Sequence, residues 1–117
     1  MRAILFDANG GAHVAERDMP VVTDHTVLVE VTLAGVNPTD TYHRRRAAAG
    51  ADERDRVPGV EVSGTVVQVG AHSRWNVGER VMGVVLDGGL AQYVCVPDDL
   101  LVARPDGLDD AEAAATP

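Results

Sequence analysis

The chain has 117 residues, 45% of them apolar but only 3% aromatic, and a formal net charge of −8. That length supports one core and therefore one domain, spanning residues 1–117. The negative charge argues against nucleic acid or an anionic membrane as partner, and a single cysteine excludes an internal disulfide and a cysteine-built zinc cage.

With aromatics so scarce, the core falls to Val, Leu, Ile and Ala, and β-branched side chains suit a pleated, half-buried surface. Twelve glycines and six prolines add frequent turns, so the expected fold is mainly β. Arg2–Phe6 reads as a short apolar strand, Asn9-Gly10-Gly11 as a hairpin turn, and 12–17 as the returning strand, ended by Pro20. From Thr26 to Ala34 the pattern alternates, with Val27, Val29, Val31 and Leu33 on one face and Glu30 and Thr32 on the other. That is a half-buried strand.

Asn37 suits an N-cap, Pro38 the first helical position, and Asp40 adds negative charge to the first turn. A short helix over 38–47 is expected, with Gly50 as its stop and a charged loop over 51–56. Residues 57–70 form a long β-rich run entered through Pro58-Gly59 and closed by Gly70. Gly64 interrupts its middle, where a strand tolerates glycine at a bulge, a bend or a close backbone approach. A polar connection over 71–78 holds the only tryptophan, Trp75. Further strands are expected over 81–86, 90–96 and 100–103, punctuated by Gly88-Gly89 and Pro97. Strands at this spacing suggest a rolled sheet or a partly open β-barrel. At the end, Asp109 can cap a helix over 110–115, and Glu112 comes close to completing a capping box. So short a helix is marginal unless it packs on something, and it looks like the start of a longer element.

His13, His25, His43 and His72 show no paired ligand spacing and are expected at the surface. Cys95, inside an apolar strand, is expected as a buried small hydrophobe and not a reactive thiol. Arg44, Arg45 and Arg46 can contact a phosphate, but beside Asp52, Glu53 and Asp55 they read better as a solvated charged face. Gly59, Gly64, Gly70, Gly78 and Gly83 are backbone devices. No apolar run approaches membrane-spanning length, and the N-terminus lacks the layout of a signal peptide. A soluble, cytoplasmic protein is expected.

Four blocks carry a resemblance: residues 34–42 (Ala-Gly-Val-Asn-Pro-Thr-Asp-Thr-Tyr), 58–64 (Pro-Gly-Val-Glu-Val-Ser-Gly), 78–81 (Gly-Glu-Arg-Val) and 88–94 (Gly-Gly-Leu-Ala-Gln-Tyr-Val). In order and without large gaps, they resemble the N-terminal, GroES-like domain of the medium-chain dehydrogenase/reductases. The branch they resemble is that of the zinc-free quinone oxidoreductases related to zeta-crystallin. In the zinc-dependent members a cysteine stands at the position of Asn37 and a histidine at that of Val60. Asparagine is a poor zinc ligand and valine is none, while catalytic zinc takes about three protein ligands, so no metal is expected.

The resemblance implies that the corner from Asn37 to Tyr42 lines the cleft where nicotinamide meets substrate. Asn37 and Tyr42 are then the candidate catalytic residues: Asn37 to hydrogen-bond cofactor or carbonyl, Tyr42 to orient the carbonyl or supply a proton. Asn37, Asp40, Tyr42 and Glu61 are the candidate substrate- or cofactor-facing set. Each has a plainer reading: Asn37 and Asp40 as helix caps, Tyr42 as packing, Glu61 as a solvent-facing or ion-paired carboxylate.

Relatives bind NADPH through a Rossmann domain, whose phosphate turn needs Gly-x-Gly-x-x-Gly between strand and helix. This sequence contains no such spacing, so no cofactor is expected on the chain alone. The family's returning C-terminal segment is also missing from it. The preferred function is the substrate-side domain of an NADPH:quinone oxidoreductase-like enzyme, inactive alone, serving a quinone or an α,β-unsaturated carbonyl. The expected partners are a Rossmann-domain chain or a second copy in a homodimer. The alternatives are a stand-alone small-ligand binder, a cofactor-free isomerase or cyclase, and a non-catalytic interaction module. Fold alone does not choose among them.

Overall fold

The computed structural model describes residues 1–50 and 55–116. Strands β1 (Arg2–Phe6) and β2 (Ala12–Glu16) form an antiparallel hairpin. Its turn is held by Asp7, whose Oδ1 accepts the N–H groups of Asn9 at 2.8 Å and Gly11 at 2.9 Å. Gly10 supplies the left-handed residue at φ 77°.

The remaining strands are β3 (Thr26–Gly35), β4 (Glu61–Val69), β5 (Arg80–Val84), β6 (Tyr93–Pro97) and β7 (Leu101–Ala103). They build one antiparallel sheet in the order β6-β3-β4-β5-β7. Residues 90–92 stitch this sheet to the hairpin. Ile4 donates to the Leu90 carbonyl at 2.9 Å, Gln92 to Arg2 at 3.1 Å, and Val31 to Gln92 at 2.8 Å. The two open sheets thus share one curved wall, the partly open barrel that the turn spacing suggests. The core inside it is valine: Val27, Val29, Val62, Val66, Val81, Val94 and Val96 pack with Leu101 and Trp75. Fully burying each such side chain is worth about 1.5–3 kcal/mol, which explains how a chain with few aromatics holds together. Trp75 keeps its indole N–H satisfied on the Asp98 carbonyl at 2.9 Å.

Two helices flank the sheet, α1 (Pro38–Ala48) and α2 (Asp110–Ala115). The second carries the expected capping box: Asp109 Oδ1 accepts from the Glu112 N–H at 2.8 Å, and Glu112 Oε2 accepts from Asp109 N–H at 3.0 Å. It escapes the marginality of a short helix by packing. Ala113 and Ala114 are buried, the buried Ser63 hydroxyl on β4 donates to the Asp110 carbonyl at 2.8 Å, and Arg104 ion-pairs with Asp110.

Several expectations need correction. Leu33 is 43% exposed because β3 slips register against β4 at Leu28/Val29 and again at Val31/Leu33. A bulge breaks the alternation of faces on which the sequence pattern relies. Leu28, on the other parity, is buried. The strand expected from residue 57 begins only at Glu61. Before it, Val57, Pro58 and Gly59 offer their carbonyls to the N–H groups of Gly88, Leu90 and Gly89 at 2.8, 2.8 and 3.0 Å. That is loop pairing, and it holds Gly59 at φ 104°. Likewise 90–92 make only an isolated bridge before β6 begins. Cys95 is half-buried, its thiol 3.2 Å from Thr26 Oγ1. Of the expected charged loop, residues 51–54, including Asp52 and Glu53, lie outside the described residues. Among the described residues no helix is long and apolar enough to cross a membrane.

Candidate functional site

The strand β3 ends at Gly35, and the chain turns through Val36 and Asn37 into α1. Asn37 holds the extended N-cap conformation, with Pro38 at the first helical position. Asp40 sits in the first turn and bends its carboxylate back, so that Oδ2 accepts the Asn37 N–H at 2.8 Å. Its other oxygen, Oδ1, accepts the N–H of Gly59 at 2.9 Å. One side chain, 2% exposed, therefore ties the helix start to the turn that leads into β4. The turn itself admits only glycine: a Cβ at Gly59 would stand 2.5 Å from the Leu90 nitrogen. Asp40 is a tether with both oxygens engaged by backbone.

The capping box formed by Asn37 and Asp40 calls only on side-chain acceptors, so it leaves the Asn37 amide nitrogen without a task. The Asn37 backbone carbonyl accepts the Asp40 N–H at 3.0 Å, while the amide Nδ2 is enclosed and has no acceptor. A buried donor left unpaired costs about 1–3 kcal/mol, so a fold that keeps one at a loop-to-helix corner calls for an explanation. Glu61 stands beside this corner. It pairs with Gly35 across the β3–β4 ladder, and its Oε2 occupies the space that a Cβ on Gly35 would need. The residue is half-buried, and among the described residues its carboxylate has neither hydrogen-bond nor ion-pair partner. Of the plainer reading, a solvent-facing or ion-paired carboxylate, the solvent-facing form fits: its oxygens are not among the enclosed, unpaired atoms.

Tyr42 lies on the same helix, 56% exposed. The Arg46 guanidinium lies over its ring, 5.6 Å from the centroid, and Arg46 Nη1 donates to the phenol oxygen at 3.3 Å. That contact uses the oxygen as acceptor and leaves the phenol proton free to be donated. Arg44 and Arg45 are exposed, as a solvated face requires. His43 departs from expectation: it is half-buried and its Nδ1 is enclosed without a partner. His25 and His72, far apart in sequence, stack with centroids 5.2 Å apart.

Sequence reasoning named Asn37, Tyr42 and Glu61 as candidates, which lie at the N-cap of α1, within α1 and opposite Gly35 on β4. It missed the Asp40–Gly59 bond, for which the only local signal was the Pro58-Gly59 pair. Among the described residues no group of three or more His, Cys, Asp or Glu side chains can hold a metal ion. An apolar groove of about 380 Å³ runs along Ile4, Val14, Val31, Leu33 and Leu90. It includes none of the three candidate residues.

Residues 23–106 match the family described as "Alcohol dehydrogenase GroES-like domain". The chain is similar to a quinone oxidoreductase of Sus scrofa, 38% identical over 98% of the chain and 37% of the relative. It is also similar to the chloroplastic NADPH-dependent alkenal/one oxidoreductase of Arabidopsis thaliana, 31% identical over 100% of the chain and 34% of the relative. Among solved structures, the quinone oxidoreductase of Thermus thermophilus, studied also in complex with NADPH, superposes with a TM-score of 0.80. There the identity is 31%, over 100% of the chain and 37% of that structure. The chain therefore spans little more than a third of the length of the relatives it matches.

Proposed function

Since the chain belongs to the alcohol dehydrogenase GroES-like family of the medium-chain dehydrogenase/reductases, we propose that it is the substrate-side domain of a zinc-independent, NADPH-dependent quinone or enone reductase. The observation that carries this reading is the similarity over nearly the whole chain to a quinone oxidoreductase and to an NADPH-dependent alkenal/one oxidoreductase. Asn37 would fix and polarise the carbonyl, and Tyr42, steadied by Arg46, would give the proton that completes reduction. Asp40 would hold both to the β4 turn. NADPH, when bound, supplies the hydride. The residues of this chain fit only the carbonyl end of that chemistry, since the sequence has no Gly-x-Gly-x-x-Gly turn for the phosphates. Zinc independence is supported by Asn37 and Val60, neither of which is a serviceable ligand, and the need for a nucleotide-binding domain beside this one by the relatives' greater length.

The test replaces the corresponding domain of the Thermus enzyme with this chain and assays NADPH-dependent reduction of a quinone and an alkenal. The chimera is expected to turn over, Tyr42→Phe to lower kcat by about a hundredfold, and Asn37→Ala to lower kcat/KM. The 117-residue chain alone is expected to show neither turnover nor NADPH binding at millimolar cofactor, followed by Trp75 fluorescence. A folded but inert chimera sinks the proposal, and saturable micromolar NADPH binding by the isolated chain sinks its two-part premise.

A further inference from the structure

Just before β3 begins, at the opposite end of that strand from Asn37, His25 and His72 stack across two loops. Their ring centroids are 5.2 Å apart and their planes 26° from parallel. The backbones that carry them are locked together. The His72 N–H donates to the Asp24 carbonyl at 2.8 Å, the Gly70 N–H to that of Thr26 at 2.9 Å, and the Asp98 N–H to that of His25 at 3.1 Å. Gly70 lets the two loops close, since a Cβ there would run into the Thr23 carbonyl. Both histidines are exposed, and among the described residues neither imidazole has a hydrogen-bond or ion-pair partner.

We infer that His25 and His72 form a two-histidine site for a borderline divalent ion such as Zn²⁺ or Cu²⁺, which clips the loop before β3 to the loop after β4. The centroid separation is the argument. On a tetrahedral ion with metal–nitrogen bonds of about 2.0–2.1 Å, each ring centroid lies about 3.2 Å from the metal, and the two centroids about 5.2 Å apart. Rotation about χ2, which is broad for histidine, turns one nitrogen of each ring toward a shared point without moving the backbone. The rings also turn freely about metal–nitrogen bonds, so their 26° angle is no obstacle. Among the described residues no group of three or more His, Cys, Asp or Glu could hold a metal ion, so water fills the remaining positions. The net charge of −8 draws a cation in. The site shares no residue with the carbonyl chemistry proposed above, and it stands or falls without that reading.

The test uses the untagged 117-residue chain, cleared of metal with EDTA, dialysed, and titrated with zinc or copper(II) chloride. One ion per chain is expected, with Cu²⁺ bound more tightly than Zn²⁺ and no competition from Mg²⁺, which takes oxygen ligands. In NMR, the ring signals of His25 and His72 should move along one Zn²⁺ saturation curve while those of His13 and His43 stay put. Zn²⁺ at about a hundred times its Kd should raise the thermal midpoint by roughly 10 °C. His25→Gln and His72→Gln should each weaken binding at least about tenfold and cancel that rise. The double variant should do little more, because a single imidazole cannot chelate. His13→Gln should change nothing. Should a variant fail to fold, the ring signals of the parent protein decide alone. Histidine signals that titrate independently, variant losses that merely add, or no Zn²⁺ binding below millimolar concentration each overturn the inference.

Discussion

Gly64 and Gly35 sit on the same ladder, one on β4 and one on β3, and both are crowded where a side chain would go. What crowds them differs. At Gly64, beside the Val31/Leu33 slip, a Cβ would run into the backbone carbonyl of Glu30 and stand 2.9 Å from Val29 Cγ1. At Gly35 the nearest atom is the tip of the Glu61 carboxylate, which can swing away. The middle of the ladder is thus closed by main chain that cannot yield. Its end at Gly35 is closed by a movable charge, next to the unpaired Asn37 amide. Rigidity and a movable charge are divided between the middle and one end of a single strand pair.

The sharpest break of that comparison is a pair of alanine substitutions. Gly64→Ala is expected to destabilise by about 3 kcal/mol, the upper range for overpacking a closed core. Gly35→Ala is expected to cost less than about 1 kcal/mol, because the displaced group is a side-chain tip. Urea unfolding of the two variants measures the difference. Equal losses would mean that Glu61 is as fixed as the Glu30 carbonyl, and the division would vanish.

Next in size is the tether. Asp40→Ala strips the acceptor from two backbone N–H groups, those of Asn37 and Gly59. Hydrogen bonds to a charged group are worth about 1.5–3 kcal/mol each, and water reaching the emptied space recovers part, so a loss of about 2–3 kcal/mol is expected. Asp40→Asn keeps one carbonyl acceptor and should lose roughly half as much. Hydrogen exchange at the Gly59 amide should quicken in both variants. A stable Asp40→Ala protein with a protected Gly59 amide would show that the corner is held by the loop pairing with 88–90 alone.

How far the sequence reaches follows from how local each cause is. The start of α1 was readable because Asn37, Pro38 and Asp40 act within one turn, and the capping box of α2 for the same reason. Gly64 was readable as a bulge, a bend or a close backbone approach, and the Glu30 carbonyl beside a register slip makes it a close approach. The exposure of Leu33 was not, since a register slip against β4 decides it, and alternation in β3 alone carries no trace of that slip. Nor was the true duty of Asp40, whose second partner lies 19 residues away. For the candidate site, the residues Asn37, Tyr42 and Glu61 were visible through the resemblance. The enclosed, unpaired amide of Asn37 exists only once the chain is folded.

Gly11 offers a third case that sharpens the contrast. There a Cβ would also meet a carboxylate tip, Asp7 Oδ2 at 2.7 Å, yet this carboxylate is employed. The N–H of Gly11, first, and that of Asn9 hold the Asp7 pKa below its usual 3.8, with desolvation opposing and His13 adding a smaller pull. A carboxyl whose folded pKa is depressed lends stability that is full above the unfolded value and disappears as pH falls through the folded one. Thermal midpoints of the parent protein and Asp7→Asn should therefore differ at neutral pH, with the parent higher, and draw together as the pH falls below 3.8 and through the lower folded value. The effect should be the smallest of the set, because this carboxylate lies on an exposed turn where solvent screens it. A midpoint difference that stays constant through that pH range would mean that the Asp7 charge contributes nothing to the hairpin turn. The carboxylates of Asp7 and Glu61 would then be alike in lacking a structural role, and the contrast between an employed and an idle carboxylate would fail.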